Sequence, residues 1–203
     1  PDSFAGLKAL ESLCLRKNQL QKIPEWIGDL SHLHSCDFDY NQLAALPASF
    51  VKLTQMEWLS LSFNYFKVFP GQLTFLRNIE SLNLSHNQIS SLPGELTQNL
   101  TRLHSLDLSW NTLNSLPNAF GLSTSLTQLD LSNNPIERLP ASFGNLSSLS
   151  NLQMSHLFYL SVLPETFGKL EALESLNLAG TQIASFPPHF GELGALTSFV
   201  LSK

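Results

Sequence analysis

Five side chains in the middle of the chain have the types needed for nucleophilic catalysis. Ser105, Ser109, His86, His104 and Asp107 could supply a serine nucleophile, a histidine base and an aspartate that orients the histidine. Serine, however, recurs at regular intervals at the place of Ser109, namely at Ser62, Ser85, Ser132 and Ser155. We therefore attribute these serines to a structural pattern, and we predict that the chain is not an enzyme.

A second group of residues has side chains of the kinds that bind metals. His32, His34, Asp37 and Asp39 lie close together in the sequence, and imidazole and carboxylate groups are common metal ligands. Because side chains that alternate along a strand point to opposite faces, only some of these groups can converge. We therefore predict a solvated edge here rather than a metal site, and no motif in the chain predicts a cofactor.

The composition is that of a folded, weakly acidic chain. Its 203 residues are 43% hydrophobic and 13% charged, with a formal net charge of -5, which is too apolar for a disordered segment. No run of Lys or Arg is present to neutralise a phosphate backbone, so we predict no nucleic-acid partner. No stretch reaches the roughly 18 apolar residues of a membrane helix, so we also predict no membrane insertion.

One unit repeats along almost the whole chain. Its first complete copy, LESLCLRKNQLQKIPEWIGDLSH, starts at Leu10, and the same frame restarts at Leu33, Met56, Ile79, Leu103, Leu126, Leu149 and Leu173. Six units have 23 residues and two have 24, so that eight units account for residues 10–195. The flanking residues are parts of the same unit. We therefore expect a single array over 1–203 that belongs to a longer protein.

Two apolar spacings alternate within each unit. Counted from the first residue of the unit, positions 4 and 6 are apolar, as at Leu106 and Leu108, which is typical of a short half-buried strand. From position 18 the apolar residues lie three apart, as at Phe143, Leu146 and Leu149, which favours a 3₁₀ or short helical turn. A unit with one apolar edge cannot fold alone, so the units must stack into a solenoid with a continuous core. The open sheet of a solenoid offers no oxyanion hole, which is a further reason to expect no catalysis.

The pattern LxxLxLxxNxLxxLPxxFGxL resembles the leucine-rich repeat family across essentially the whole chain. The resemblance implies an α/β repeat solenoid. This is a right-handed curved horseshoe with one parallel β-sheet on the concave face and short 3₁₀ or helical turns on the convex face. It also implies that the asparagine at position 9 satisfies backbone groups of adjacent coils, at Asn18, Asn41, Asn64, Asn87, Asn111 and Asn134.

Two details of the repeat narrow the resemblance. The 23-residue length with proline at position 15 is most similar to intracellular Ras-scaffold and LAP-type repeats and to related bacterial repeats. The units over 149–195 are similar to repeats of plant intracellular immune receptors. These resemblances imply a location in the cytoplasm, or in the host cytosol if the protein is a secreted bacterial effector. We also expect the array to be monomeric.

The repeat also makes several structural predictions. We expect strands near 13–15, 36–38, 59–61, 82–84, 106–108, 129–131, 152–154 and 176–178. A buried aromatic spine is expected beneath the convex turns, formed by Phe50, Phe120, Phe143, Phe167 and Phe190. The unit at 149–172 has an extra residue and Leu157 in place of asparagine, so we expect Leu157 in the core and Phe158 or Tyr159 at the surface. Cys14 should face solvent and Cys36 the core, so we predict no disulfide between them.

An aromatic column is predicted on the concave face. Position 8 is aromatic in four consecutive units, at Tyr40, Phe63, His86 and Trp110, and neighbouring strands lie about 4.8 Å apart. Trp58, at position 3, is expected beside this column. The small serines at position 7 are expected to form a floor that a partner can approach.

The acidic residues Asp37, Asp107 and Asp130 occupy position 5 and are expected on the same face. The column either packs only to stiffen the sheet or serves as a binding hot spot. Our leading hypothesis is a protein-interaction module whose concave face binds a protein partner, with a basic segment complementing the aspartates. One alternative is carbohydrate binding, because aromatic platforms beside Asp and Asn also stack on sugars. Another is the recognition domain of a larger effector or enzyme whose other parts lie outside this chain.

Overall fold

The computed structural model describes residues 2–202. Its strands are β1 (Ser12–Cys14), β2 (Ser35–Asp37), β3 (Trp58–Ser60), β4 (Ser81–Asn83), β5 (Ser105–Asp107), β6 (Gln128–Asp130), β7 (Asn151–Gln153), β8 (Ser175–Asn177) and β9 (Ser198–Val200). They follow one another in sequence order, with every neighbouring pair parallel, in one open curved sheet. The predicted solenoid with one strand in each unit is confirmed.

The strands begin one residue earlier than predicted, and the partial last unit adds β9, which was not predicted. Single hydrogen bonds continue the ladder beyond each strand: the N–H of Leu15 donates to Asp37 at 2.7 Å and that of Lys17 donates to Asp39 at 2.8 Å. Adjacent coils therefore remain hydrogen-bonded as far as position 8, although the regular strand ends at position 5.

Tight turns connect the strands across the convex side. Among the described residues, eight are 3₁₀ helices: Asp2–Gly6, Glu25–Asp29, Ala48–Lys52, Gly71–Phe75, Asn118–Leu122, Ala141–Asn145, Glu165–Lys169 and Pro188–Glu192. The proline at position 15 precedes the turn in an extended conformation, and its carbonyl accepts the first bond, as from Phe143 to Pro140 at 2.9 Å. Within residues 2–202, no helix is long and apolar enough to cross a membrane.

The 24-residue unit that starts at Ile79 absorbs its extra residue in the turn. Here the connection is the one-turn α-helix α1 (Leu96–Asn99), closed by a bond from the N–H of Leu100 to the carbonyl of Leu96 at 3.1 Å. An α-turn spans one residue more than a 3₁₀ turn. The next strand consequently keeps its register, with Ser105 opposite Ser81.

The core is a continuous column of leucines and larger side chains between the sheet and the turns. Phe120, Phe143 and Phe167 are fully buried and stack in sequence, with ring centroids 6.4 and 6.1 Å apart. Two parts of the predicted spine were wrong. Phe50 is buried but separate from the stack, because the two intervening units carry leucine at this position. Phe190 does stack on Phe167, with ring centroids 6.1 Å apart, but it is only partly buried, because no further described turn packs on its outer side.

Asparagine side chains at position 9 join adjacent coils. The Asn64 Nδ2 donates to the carbonyl of Phe38 in the preceding coil at 3.0 Å, and its Oδ1 accepts the N–H of Leu43 at 2.9 Å. The same bonds recur at Asn41, Asn87, Asn111 and Asn134. The structural role implied by the family resemblance is confirmed at these positions.

The irregular unit behaves as predicted. Leu157 is fully buried at position 9, where six other units place asparagine and the unit that starts at Leu173 places Thr181. Both Phe158 (57% exposed) and Tyr159 (63% exposed) lie at the surface. The cysteines are also as predicted: Cys14 is exposed, Cys36 is buried and both are free. Burial raises the pKa of the Cys36 thiol to about 12.

Candidate functional site

The chain turns sharply at position 8 of each unit by adopting a left-handed backbone. φ lies between 52° and 58° at Lys17, Tyr40, Phe63, His86, Trp110, Asn133 and His156, and it is 71° at Gly180. This conformation costs a residue with a Cβ ~1–2 kcal/mol, a cost that the inter-coil hydrogen bonds on both sides of the turn offset. Every coil thus presents its position-8 side chain from the same backbone geometry.

The four aromatic residues of the column are stacked in the structure. Their ring centroids are 4.0 Å apart for Tyr40 and Phe63, 3.8 Å for Phe63 and His86, and 5.1 Å for His86 and Trp110, with interplanar angles of 9° to 13°. Phe63 and His86 are half-buried between their neighbours, whereas Trp110 is 53% exposed. The column is therefore a rigid aromatic edge that ends in a solvent-facing indole.

Basic side chains cover the other end of the column. The guanidinium carbon of Arg16 lies 5.1 Å from the centroid of the Tyr40 ring, and the ammonium of Lys17 lies 5.5 Å from it. The same guanidinium has a nitrogen 3.1 Å from an oxygen of Asp39 and 3.8 Å from an oxygen of Asp37. One arginine can thus reach a position-8 ring and the position-5 carboxylate of the same unit together.

The position-5 side chains form a hydrogen bond to the backbone that was not predicted from the sequence. The Oδ1 atom accepts the backbone N–H two residues further on, at 3.0 Å for Asp37, 2.9 Å for Asp107 and 2.8 Å for Asp130. Asn83 and Asn177 accept the equivalent bond. Asp or Asn therefore recurs at position 5 because its short side chain satisfies a backbone donor. The second carboxylate oxygen of Asp107 and of Asp130 has no hydrogen-bond partner among residues 2–202.

Asp107 and Asp130 are opposite each other on β5 and β6. Neither has an ion pair with a described Lys, Arg or His, in contrast to Asp37 and Asp39 at the Arg16 end. Burial raises the pKa of the Asp130 carboxyl, and the neighbouring charge of Asp107 raises it further, against the lowering effect of the hydrogen bonds from Ser132. The middle of the concave face consequently carries negative charge without a counter-charge.

His86 has an environment that disfavours its charged form. Burial between Phe63 and Trp110 lowers the pKa of the imidazole, and the carboxylate of Asp107 partly opposes this shift. A neutral imidazole is the form that stacks between the two neighbouring rings without a desolvated charge.

A cleft opens where the aromatic column stops. We call it the Asn133 notch: it has a volume of about 250 Å³, with Trp110 on one side, His156, Phe158 and Tyr159 on the other, and Asn133 and Pro135 between them. The His156 and Phe158 rings meet edge to face at 5.7 Å. This cleft was not predicted from the sequence, although Asn133 at position 8, where the four preceding units carry an aromatic residue, was its signal.

Family models agree with the repeat geometry. Models described as leucine-rich repeat match residues 9–30, 39–89 and 77–136, which together are more than half of the chain. The chain is a leucine-rich repeat protein. No curated protein matches it.

Solved leucine-rich repeat structures share the fold. The ectodomain of the plant membrane receptor kinase GASSHO1/SCHENGEN3 from Arabidopsis thaliana is 31% identical, with a TM-score of 0.84 over 100% of this chain and 25% of that chain. A leucine-rich repeat protein of Leptospira interrogans is 28% identical, with a TM-score of 0.75 over 98% of this chain and 56% of that chain. An internalin from Listeria monocytogenes is 23% identical, with a TM-score of 0.82 over 98% of this chain and 56% of that chain. This leucine-rich repeat chain thus spans little more than half the length of the two bacterial proteins. The fold they share is commonly a protein-interaction module.

Trp58 begins β3, five residues before Phe63 in the sequence, and its place beside the column stays a prediction. Two expectations about the concave face of the repeat array need correction. The position-7 serines do not form an accessible floor: Ser62, Ser85, Ser109 and Ser132 are buried, because the side chains at positions 5 and 8 flank them. Asp39, which was placed in the predicted solvated edge, is instead buried under Arg16 and accepts a hydrogen bond from the hydroxyl of Ser60.

The residues with catalytic or metal-binding types have other partners in the repeat array. The Ser109 hydroxyl donates directly to Asp107 at 2.7 Å, whereas His86 lies in the ring stack. His32 contacts the carbonyl of Lys8 at 2.8 Å, away from Asp39, which pairs with Arg16. Within residues 2–202, no three His, Cys, Asp or Glu side chains converge as metal ligands.

Proposed function

We propose that the array over 1–203 is a protein-interaction module that holds a protein partner on its concave face across β2 to β5. The observation that supports this most directly is the stacked column of Tyr40, Phe63, His86 and Trp110. Because stacking already immobilises these side chains, a partner that packs on them loses little further side-chain entropy. Large aromatic residues of this kind supply much of the binding energy in protein interfaces.

The size and charge of the surface favour a basic helix or extended segment as the partner. Three inter-strand steps of about 4.8 Å give the column a length of roughly 14 Å, about the width of a helix with its side chains or of an extended segment. Asp107 and Asp130 lie beside it without a counter-charge among the described residues. A basic segment is the complementary occupant, with Asp37 at the far end and Trp58, at the start of β3, as a further contact.

A solved relative offers support of the same kind. The GASSHO1/SCHENGEN3 ectodomain, 31% identical to this chain, was determined in complex with CASPARIAN STRIP INTEGRITY FACTOR 2. The ring geometry favours a protein over a sugar, because sugars stack on open ring faces and the inner faces of this column are covered by neighbouring rings.

The test begins with a displayed library of random peptides, from which the immobilised array selects binders. The affinity of a selected peptide is then measured for Trp110→Ala and Phe63→Ala. Each substitution should weaken binding by at least ~1–2 kcal/mol if these rings are anchors. Phe75→Ala is the matched control, since Phe75 is a 63% exposed aromatic residue in a convex turn.

The outcomes separate the possible surfaces. Loss with both concave variants and none with Phe75→Ala supports the concave face. Unchanged affinity in both concave variants, with the fold intact by circular dichroism, contradicts it, and loss with Phe75→Ala alone would place binding on the convex side. A glycan array run in parallel tests the sugar alternative.

A further inference from the structure

The two ends of the aromatic column differ in what covers their outer rings. At the Tyr40 end, the guanidinium of Arg16 covers the outer ring and pairs with Asp37 and Asp39. At the other end, the outer face of Trp110 borders the Asn133 notch, and the aspartates of β5 and β6 have no cation among the described residues.

The notch has room for one planar group. Trp110 and His156 are two coils apart, which at about 4.8 Å per coil separates their backbones by roughly 10 Å. Rings within the column stack at 3.8 to 5.1 Å, so a single flat group between Trp110 and His156 would continue the spacing. Asn133 is too short to occupy this space.

The polar groups of the notch distinguish among planar ligands. The Asn133 carboxamide makes no hydrogen bond to any residue within 2–202, so its oxygen is available to accept one. A phenyl ring would leave that oxygen unpaired and gain nothing from Asp107 and Asp130, and an ammonium group is not planar. A guanidinium is flat, stacks on indole, carries a positive charge and offers five N–H donors.

The Arg16 end shows that such an arrangement is geometrically possible in this repeat. There a single guanidinium lies 5.1 Å from the centroid of the Tyr40 ring and 3.8 Å from the position-5 carboxylate of Asp37 in the same unit. Trp110 and Asp107 occupy the equivalent positions 8 and 5 of a later unit.

We propose that the Asn133 notch binds an arginine side chain of the protein partner, with the guanidinium stacked on Trp110, flanked by His156 and hydrogen-bonded to Asn133. This assignment rests on the proposed function, since it names the partner chemistry at one end of the same surface. Asp107 and Asp130 lie outside the notch on the neighbouring strands β5 and β6, and their negative charge attracts the cation to this part of the face.

The test uses small probes, so that it does not depend on knowing the partner. N-acetyl-arginine amide, N-acetyl-lysine amide and N-acetyl-phenylalanine amide are titrated into the protein while the indole N–H signals are followed by NMR. The Trp110 signal is assigned from its loss in Trp110→Phe, and the Trp58 signal is an internal control on the same face. The arginine probe should shift the Trp110 signal saturably and leave the Trp58 signal in place.

Asn133→Phe provides the decisive variant, because it fills the notch with a ring. The substitution should fold, since aromatic residues already adopt the same left-handed backbone at Tyr40, Phe63 and Trp110. It should weaken arginine binding by about tenfold or more, which is 1.4 kcal/mol. Asn133→Gly, which leaves the notch open, should weaken it by only a few-fold through loss of the amide.

Three results would overturn the assignment: no shift of Trp110 with the arginine probe, equal shifts in the wild type and Asn133→Phe, or tighter binding of the phenylalanine probe. If a peptide selected from the library loses affinity in Phe63→Ala and Trp110→Ala but keeps it in Asn133→Phe, the interaction function stands and the arginine site is wrong. If the arginine probe binds but no selected peptide depends on Phe63 or Trp110, the arginine site stands and the proposed binding of a protein partner on the column is wrong.

Discussion

Gly144 lies directly against the backbone of Thr166 in the next coil. A Cβ built on Gly144 would be 1.9 Å from the carbonyl oxygen of Thr166, far closer than atoms can approach. We expect Gly144→Ala to force the two coils apart and to lower the free energy of unfolding by ~1–3 kcal/mol. Urea denaturation followed by circular dichroism measures this change.

Gly191 is the matched control for that substitution. It occupies the same place in its turn as Gly144, but a Cβ built on it meets no described atom within 4 Å. Gly191→Ala should therefore change stability little. Equal losses in the two variants would mean that helix propensity, rather than the contact between coils, governs this position.

Loss of an inter-coil asparagine should destabilise the array. Asn87 is buried, donates to three carbonyls that include Leu61 of the preceding coil, and accepts the N–H of Phe66. Asn87→Ala leaves those buried groups unpaired, at a cost of roughly 1–3 kcal/mol or more. Asn18→Ala, at the same repeat position, should cost less because Asn18 is exposed and, within residues 2–202, its side chain bonds only to carbonyls of its own coil. Similar denaturation midpoints for both variants would contradict the inter-coil role.

Phe143 should contribute strongly to stability. It is fully buried and stacks between Phe120 and Phe167, so Phe143→Ala should cost about 3–5 kcal/mol. Trp110→Ala, on the concave face, should leave stability nearly unchanged. A loss under ~1 kcal/mol for Phe143→Ala in chemical denaturation would be inconsistent with a large buried ring.

The stability of the array should fall in mildly acidic solution through His86. Since burial lowers the pKa of His86 in the folded state, the unfolded chain binds the proton more readily there. The favourable contribution of neutral His86 is present above its unfolded pKa of about 6.5 and is lost as pH falls through the lowered native pKa. His86→Phe keeps a ring in the column and should remove this component from the pH dependence of unfolding. An identical pH profile in that variant would show that other groups cause the effect.

The charge of Asp130 should favour binding of a basic peptide and slightly lower the stability of the folded array. Its pKa is raised by burial and by Asp107, so the ionised form is disfavoured in the native state. Asp130→Asn retains an acceptor for the Ser132 N–H, as Asn83 and Asn177 do, and should leave the melting temperature equal or slightly higher. It should also reduce the salt dependence of binding to a basic peptide, measured as the dissociation constant against ionic strength.

The regular parts of this protein follow from its sequence. Because each coil stacks on an equivalent coil, the spacing of Leu106 and Leu108 determines both the strand and the face that is buried, and the same argument applied to every unit gives the sheet order. Proline at position 15 and the buried Phe143 mark the turn. For Asn64 and Asn87, the resemblance to leucine-rich repeats predicted the bonds that join adjacent coils.

Relations between coils depended on the tertiary structure. A residue's position in the unit says which edge of the sheet it occupies, but not which side-chain atoms meet across coils. The left-handed backbone at Phe63 and His86 brings their rings into face-to-face contact, which strand alternation does not describe. The contact of Arg16 with the Tyr40 ring and the cleft at Asn133 also could not be predicted from the sequence, because both depend on side-chain conformations and on the spacing of the coils.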